Sequence, residues 1–360
     1  MYLIENYRAI ERIKIKKHNY IVLTGDDTLF LKDICFAFYD YFESKKIIKE
    51  NKDINEKKLY ITNFLTGEKE QISSQRAIFI KNNDLQDELE LGSKTILHSL
   101  LSAYFKEKMP IEPSLRTFNT LLSNFSEEEI FEKLEKELSK FSEYKFDFTF
   151  KEFTPNDIIK KIEVNFIRSE VEYQSFSISN LDKLKLKLSL YDKEEESLEK
   201  IYIFYLPEND LSVKEQRELK IFFDELSKNS TVIVATTSKY LFDLSFDSLN
   251  IIIDKKLKNN LKAEEFLEKM ALEYPLEKTK EKFKVKMNHL IKSYINDIIS
   301  GSIITNKRDI IEDSIFFSSD EEIFLLLYFL KKSDIKYKTD FNFLDETVFS
   351  NYIKNNFQFF

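Results

Sequence analysis

A mixed α/β architecture is expected from this sequence on three grounds: recurrent short apolar runs, helix-start signals between them, and a phosphate-loop-like turn near the N-terminus. The runs are Tyr20–Leu23, Leu59–Phe64, Ala77–Ile80, Ile201–Leu206, Thr231–Ala235 and Leu249–Ile253. Several are continuous rather than alternating, as strands covered on both faces are. One segment alternates instead, with Tyr144, Phe146, Phe148 and Phe150 opposite Lys145, Asp147, Thr149 and Lys151, which predicts a half-buried strand. Capping-box patterns open two helices: Ser126-x-x-Glu129 ahead of Ile130, Leu134 and Leu138, and Ser212-x-x-Glu215 ahead of Leu219, Phe222, Phe223 and Leu226. Beyond Asp254 helical periodicity takes over. The expected organisation is an α/β head over 1–254 with a helical insertion near 84–142, then a helical C-terminal region over 255–360.

Composition narrows the class. With 360 residues, 42% hydrophobic and 14% aromatic, the chain can bury a large core. Only 4 Gly and 5 Pro leave few tight turns. The single cysteine, Cys35, excludes a disulfide framework and fits a reducing cytoplasm. Met1–Arg12 mixes Glu5, Arg8, Glu11 and Arg12 with its apolar residues and does not read as a secretory signal. Ile323–Leu330, the most apolar segment, is too short to span a bilayer, so no membrane partner is expected. A net charge of −8 argues against polyanion binding by the whole surface, though not by a local basic channel.

The most telling stretch is Thr24-Gly25-Asp26-Asp27-Thr28-Leu29-Phe30-Leu31-Lys32, which follows an apolar run and leads into a helix. Strand, glycine turn and helix are the setting of a P-loop, G-x-x-x-x-G-K-[ST]. Laid on Gly25, that pattern puts Phe30 at the second glycine, Leu31 at the lysine and Lys32 at the hydroxyl. Without the second glycine the backbone cannot wrap a phosphate, and without the lysine nothing neutralises the β/γ charge. Asp26 and Asp27 add two like charges, each costing a phosphate roughly 4 kcal/mol at close range near a surface. Gly25, Asp26, Asp27 and Lys32 thus form a degenerate P-loop that is expected to hold no nucleotide.

The rest of an ABC-type ATPase outline recurs in order. Ile201–Pro207 stands where a strand would end in Asp-Glu-Pro, but Tyr205 replaces the magnesium-binding aspartate and Leu206 the water-activating glutamate. Both jobs need a carboxylate. Thr237 stands at the switch histidine, and Ser177–Leu181 lies at the signature loop without a glycine. The predicted fold class is therefore an ABC-ATPase-like mixed sheet head with a degenerate P-loop; another doubly wound α/β domain is the alternative.

On the Tyr20–Lys32 turn, the Leu59–Phe64 strand, Ala77–Lys81 leading to an insertion, and Ile201–Pro207 with the Ser212 helix, the chain resembles the long form of the accessory spacer-acquisition protein of type II-A CRISPR systems. The match covers about residues 1–254 in order and hydrophobic outline, not in identity. It implies a non-enzymatic homotetrameric ring that holds double-stranded DNA in a basic hole and loads from free ends. It further implies calcium held by acidic side chains, no nucleotide, a cytoplasmic location, and two protein partners: the spacer integrase complex and the type II effector nuclease.

A basic surface is the residue-level requirement of that function. Between Lys255 and Lys292, 11 Lys stand against 6 Glu, a net +5. Lys282, Lys284 and Lys286 alternate with Phe283 and Val285; Lys183, Lys185 and Lys187 alternate with Leu184, Leu186 and Leu188. In a strand each trio would share one face; in a helix it would spread around the axis. These six lysines are the candidate DNA contacts, since sequence-independent binding needs only phosphate neutralisation. No EF-hand loop exists, so calcium would need carboxylates from distant segments, with Asp26 and Asp27 as the candidate pair. His18, His98 and His289 lack zinc spacing, and Cys35 reads as a small core residue. Two rival readings share the expected fold: an ATPase or nucleotide sensor with a divergent loop, and a protein-interaction scaffold.

Overall fold

The computed structural model describes residues 1–43, 59–71, 75–80, 96–107, 112–126, 133, 151–162, 166–168, 171–173, 179–192, 199–243, 245–274, 280–307, 313–342 and 347–357. The chain divides into two compact units, one of Met1–Asn82 with Ser197–Phe360 and one of Asn83–Glu196.

The first unit opens with strands β1 (Tyr2–Tyr7), β2 (Ile10–Ile15) and β3 (Tyr20–Gly25), helix α1 (Thr28–Glu43), and strands β4 (Tyr60–Asn63) and β5 (Gln75–Ile80). The second unit holds α2 (Ile96–Glu107), α3 (Glu112–Ser126), α4 (Pro155–Ile159), a hairpin of β6 (Phe166–Arg168) with β7 (Val171–Tyr173), and α5 (Asn180–Asp192). The chain then returns through β8 (Glu199–Tyr205), α6 (Val213–Leu226), β9 (Thr231–Ala235), β10 (Leu249–Ile253), β11 (Lys256–Leu257), α7 (Ala263–Glu273), α8 (Lys280–Ile299), β12 (Ile303–Thr305), β13 (Ser314–Phe316), α9 (Asp320–Lys332), β14 (Lys338–Asp340) and α10 (Val348–Asn356).

All six apolar runs form strands, and five of them are neighbours in one sheet of order β11-β10-β3-β9-β8-β5. Every pairing in it is parallel except that of β11 with β10. Ile21, Val22, Leu23, Ile203, Phe204, Ile233 and Val234 are fully buried, as parallel strands covered on both faces must be. A second, antiparallel sheet runs β2-β1-β4 and turns Tyr2, Ile4, Ile13, Ile15 and Ile61 inward. Helix α1 is packed between the two sheets through Phe30, Leu31, Ile34, Cys35, Phe38, Tyr41 and Phe42. Burying each large side chain there contributes about 1.5–3 kcal/mol, which fixes where α1 begins relative to β3. Cys35 is a core residue, and burial pushes its thiol pKa up.

Two parts of the expected organisation differ. The region after Asp254 is not wholly helical: β12, β13 and β14 form a parallel three-stranded sheet of order β13-β12-β14. Each of these strands has three residues, too few for a periodicity to register. The insertion is also larger than 84–142, since its compact unit runs from Asn83 to Glu196 and includes the Lys183–Lys187 segment. The Ser212 helix has its capping box, with the Glu215 amide donating to Ser212 Oγ at 3.3 Å. The expected strand over 144–151 and most of the Ser126 helix lie outside the described residues. Helix α9 is buried from Ile323 to Leu330, apolar all round, with Phe324 packed against Tyr274, Phe349, Tyr352 and Phe357. Among the described residues no helix is long and apolar enough to cross a membrane.

Candidate functional site at the carboxyl edge of the main sheet

Strands β3, β9 and β8 are consecutive neighbours and end on one edge of the sheet. In an open α/β sheet that carboxyl edge is where ligands bind. The Gly25–Lys32 turn expected to be a degenerate P-loop lies there, and Gly25, Asp26, Asp27 and Lys32 each make a structural contact.

Gly25 pairs with Ile252 across β3 and β10, and a Cβ on it would lie 1.9 Å from the Ile252 carbonyl oxygen. Its absent side chain therefore serves strand packing rather than a phosphate. Asp27 precedes α1 and accepts from the Phe30 amide at 3.0 Å, as an N-cap does. Asp26 accepts from the Asp254 amide at 3.2 Å, steadying the two-residue turn between β10 and β11. Asp254 and Lys255 both have positive φ in that turn, 51° and 58°, which is the twist a tight hairpin requires. Lys32 faces aromatic rings, its Nζ 5.5 Å from the Tyr205 centroid and 5.9 Å from that of Phe36.

The strand ends opposite the loop are joined by a chain of hydrogen bonds. Thr24 Oγ1 donates to Asn296 Oδ1 at 2.9 Å, and the Asn296 amide group donates to the Thr237 carbonyl. The Thr237 amide and hydroxyl both donate to Glu208 Oε1, at 2.7 Å and 3.0 Å. Asn296 comes from α8, so a helix of the C-terminal region closes the edge that a phosphate would enter. The Leu206 amide donates to the Ala235 carbonyl at 2.8 Å, and Leu206 takes a positive φ of 46°. Tyr205 ends β8 and Leu206 follows it, so the strand end beside the Gly25 turn carries a phenol and an alkyl chain where the sequence pattern would look for carboxylates. Nothing in the sequence singles out Asn296; its partner Thr24 is 272 positions away.

The two lysine trios resolve the same way. Lys183, Lys185 and Lys187 lie on α5 and Lys282, Lys284 and Lys286 on α8, so neither trio forms the shared strand face that alternation would give. On α5 the alternating leucines divide too, with Leu184 and Leu188 buried and Leu186 exposed. On α8, Phe283 is buried and Val285 exposed; Lys282 and Lys284 are exposed while Lys286 is 3.1 Å from Glu321. Much of the basic tract is used internally. Lys258 pairs with Asp334 at 2.9 Å, Lys269 with Glu265 at 2.9 Å, and Lys292 donates to the Phe242 carbonyl at 3.0 Å. Burial, then the neighbouring Lys220, lowers the Lys292 pKa.

For cations, Asp26 and Asp27 both accept backbone hydrogen bonds, and among the described residues no group of three or more His, Cys, Asp and Glu side chains converges. Asp320 and Glu321 begin α9 and accept from Thr347 and Tyr274, each at 2.8 Å. Of the signature-like stretch, Ser179 caps α5 by accepting from the Asp182 amide at 3.1 Å; 177 and 178 lie outside the described residues.

The class so defined is a mixed α/β protein whose Gly25–Lys32 turn and neighbouring strand ends are engaged in structural contacts. No family model matches the sequence, and no curated protein matches it. Among solved structures it is similar to the crystal structure of Stu0660 of Streptococcus thermophilus, with 16% sequence identity over 98% of this chain and 99% of that one, at a TM-score of 0.60. At that identity the likeness is one of fold.

Proposed function

We propose that this chain is a non-enzymatic protein of CRISPR spacer acquisition, with an ABC-ATPase-like head, that binds double-stranded DNA at free ends as a homotetrameric ring. One observation carries the non-enzymatic part: the Thr24–Asn296–Thr237–Glu208 chain closes the carboxyl edge beside Tyr205 and Leu206. The strand order supports the ABC-like reading. The glycine-turn strand β3 and the Tyr205 strand β8 are separated by β9, which leads to Thr237, so the three rewritten positions fall on one edge. The DNA part rests on the resemblance in motif order, with a full-length likeness in fold to a solved structure as its support. Calcium held by acidic side chains is part of the same reading. Among the described residues of one subunit no group of three such side chains converges, so carboxylates from distant segments or from two subunits would have to share it. The spacer integrase complex and the type II effector nuclease are its proposed protein partners.

The test is a titration of linear and covalently closed duplexes of equal length, with calcium and then with a chelator. Binding confined to the linear form, weakened by chelator and by salt, is the expected result. Equal binding of both forms would remove threading, and no binding at low salt would remove DNA. One feature favours a scaffold as the second reading: α3 exposes Phe118 and Leu121, with Phe153 edge-on against Phe118.

A further inference from the structure

A cleft of about 360 Å³ lies where the outer face of the antiparallel sheet meets the β11 end of the main sheet. Arg12, Ile13 and Lys14 of β2, Phe64 after β4, and Lys256, Leu257 and Asn260 at and after β11 line it. Strand alternation explains the charge: Ile13 and Ile15 turn into the core, so Arg12 and Lys14 must share the opposite face. The three cations differ in how they are held. Arg12 Nε is 3.2 Å from Glu5 Oε1, an exposed ion pair. Lys14 Nζ rests 3.7 Å from the Phe64 ring centroid, held by an aromatic face instead of a carboxylate. Neither Lys14 nor Lys256 belongs to any ion pair among the described residues, whereas their neighbours Lys17 and Lys258 do. Asn260 donates to the Leu257 carbonyl at 3.0 Å, bracing the β11 wall.

We propose that this cleft is a contact site for the phosphodiester backbone of duplex DNA, an inference that rests on the DNA-binding reading above. Magnitudes select a polyanion over a lone phosphate. An exposed ion pair strengthens binding by no more than about fivefold, so three give about a hundredfold, which leaves a single phosphate with a dissociation constant near ten millimolar. A duplex brings a row of phosphates, and each one neutralised also releases condensed counterions. The cleft is open at the surface and its lining residues come from strand edges and the turns after them, which suits a ligand that continues past it.

The test is the double variant Lys14→Glu with Lys256→Glu, compared with Lys214→Glu and Lys228→Glu, which make the same change in net charge at exposed positions on or beside α6. Binding of a linear duplex is followed by fluorescence anisotropy between about 50 and 200 mM salt. The cleft variant is expected to bind on the order of tenfold more weakly than the α6 variant, with the slope of log K against log salt reduced by about 2. Lysine acetylation read by mass spectrometry is the second measurement, with Lys14 and Lys256 protected by duplex and Lys214 not. Equal binding by the two variants with no protection overturns the cleft and leaves the DNA reading intact. Failure of the unaltered protein to bind duplex overturns both. Displacement of the duplex by millimolar inorganic phosphate overturns the choice of a polyanion.

Discussion

The carboxyl edge of the main sheet and the cleft beside β2 make opposite use of their polar groups. At the edge, Thr24, Asn296, Thr237 and Glu208 are joined in a chain of hydrogen bonds that leaves only Glu208 Oε2 of that carboxylate buried without a partner among the described residues. Asp26 and Asp27 accept from backbone amides. In the cleft, Lys14 and Lys256 belong to no ion pair among the described residues. The crevice where open α/β sheets bind ligands is here part of the protein's own frame, and the cationic side chains gather beside β2 and β11 instead. Two lysines on one strand line show the contrast at close range. Lys14 faces the cleft, whereas Lys16, two residues on, is buried, donating to the Phe246 carbonyl at 3.2 Å with its Nζ 4.3 Å from the Phe246 ring. Burial pulls the Lys16 pKa down to about 7, against a smaller opposing effect of Asp247.

The comparison breaks most sharply at Gly25. Gly25→Ala drives a methyl group into the Ile252 carbonyl, so β3 and β10 must part; a loss above about 4 kcal/mol in thermal or urea unfolding is expected, and a near-native Tm would refute the packing role. Lys16→Met probes the buried member of the lysine pair. The unfolded lysine titrates near 10.5 and the folded one near 7, so the native state is penalised in full below pH 7 and relieved as pH rises towards 10.5. The variant should be more stable at pH 6 by about 2–3 kcal/mol, with the rise between pH 7 and 10 flattened in urea titrations. A smaller effect, about 2 kcal/mol lost, is expected of Asn296→Leu, which leaves Thr24 and the Thr237 carbonyl without their partner. That variant should gain no thermal protection from ATP, and protection would show that the edge is only plugged. Asp27→Ala removes the α1 cap for about 1 kcal/mol, and a neutral result would return Asp27 to consideration as a cation ligand.

Much of the head was legible because its signals are local. Thr231–Ala235 and Leu249–Ile253 are strands at the predicted bounds, since a fully buried parallel strand is an uninterrupted apolar run. The β1–β2 hairpin went unread because charged residues on its outer face, Glu5, Arg12 and Lys14, interrupt the apolar pattern. The lysine trios left strand and helix open because period-two alternation is set inside helices, where leucine spacing from Leu181 to Leu184 and Leu188 carries the packing. The candidate site was half legible. The glycine turn at the end of β3 could be read locally, but the contacts that engage it could not, because Asn296 reaches Thr24 only through the tertiary fold.

The place of β3 in the sheet has a consequence for synthesis. Both of its neighbours begin more than 200 residues after Gly25, at Thr231 and Leu249. At about 5–20 residues per second, the ribosome takes roughly 10–40 s to deliver the first of them. For that interval Tyr20–Gly25 leaves the exit tunnel as a naked apolar ribbon with both backbone edges open. The nascent chain must therefore be shielded, by α1 folding back on it or by a chaperone, until its partners are made.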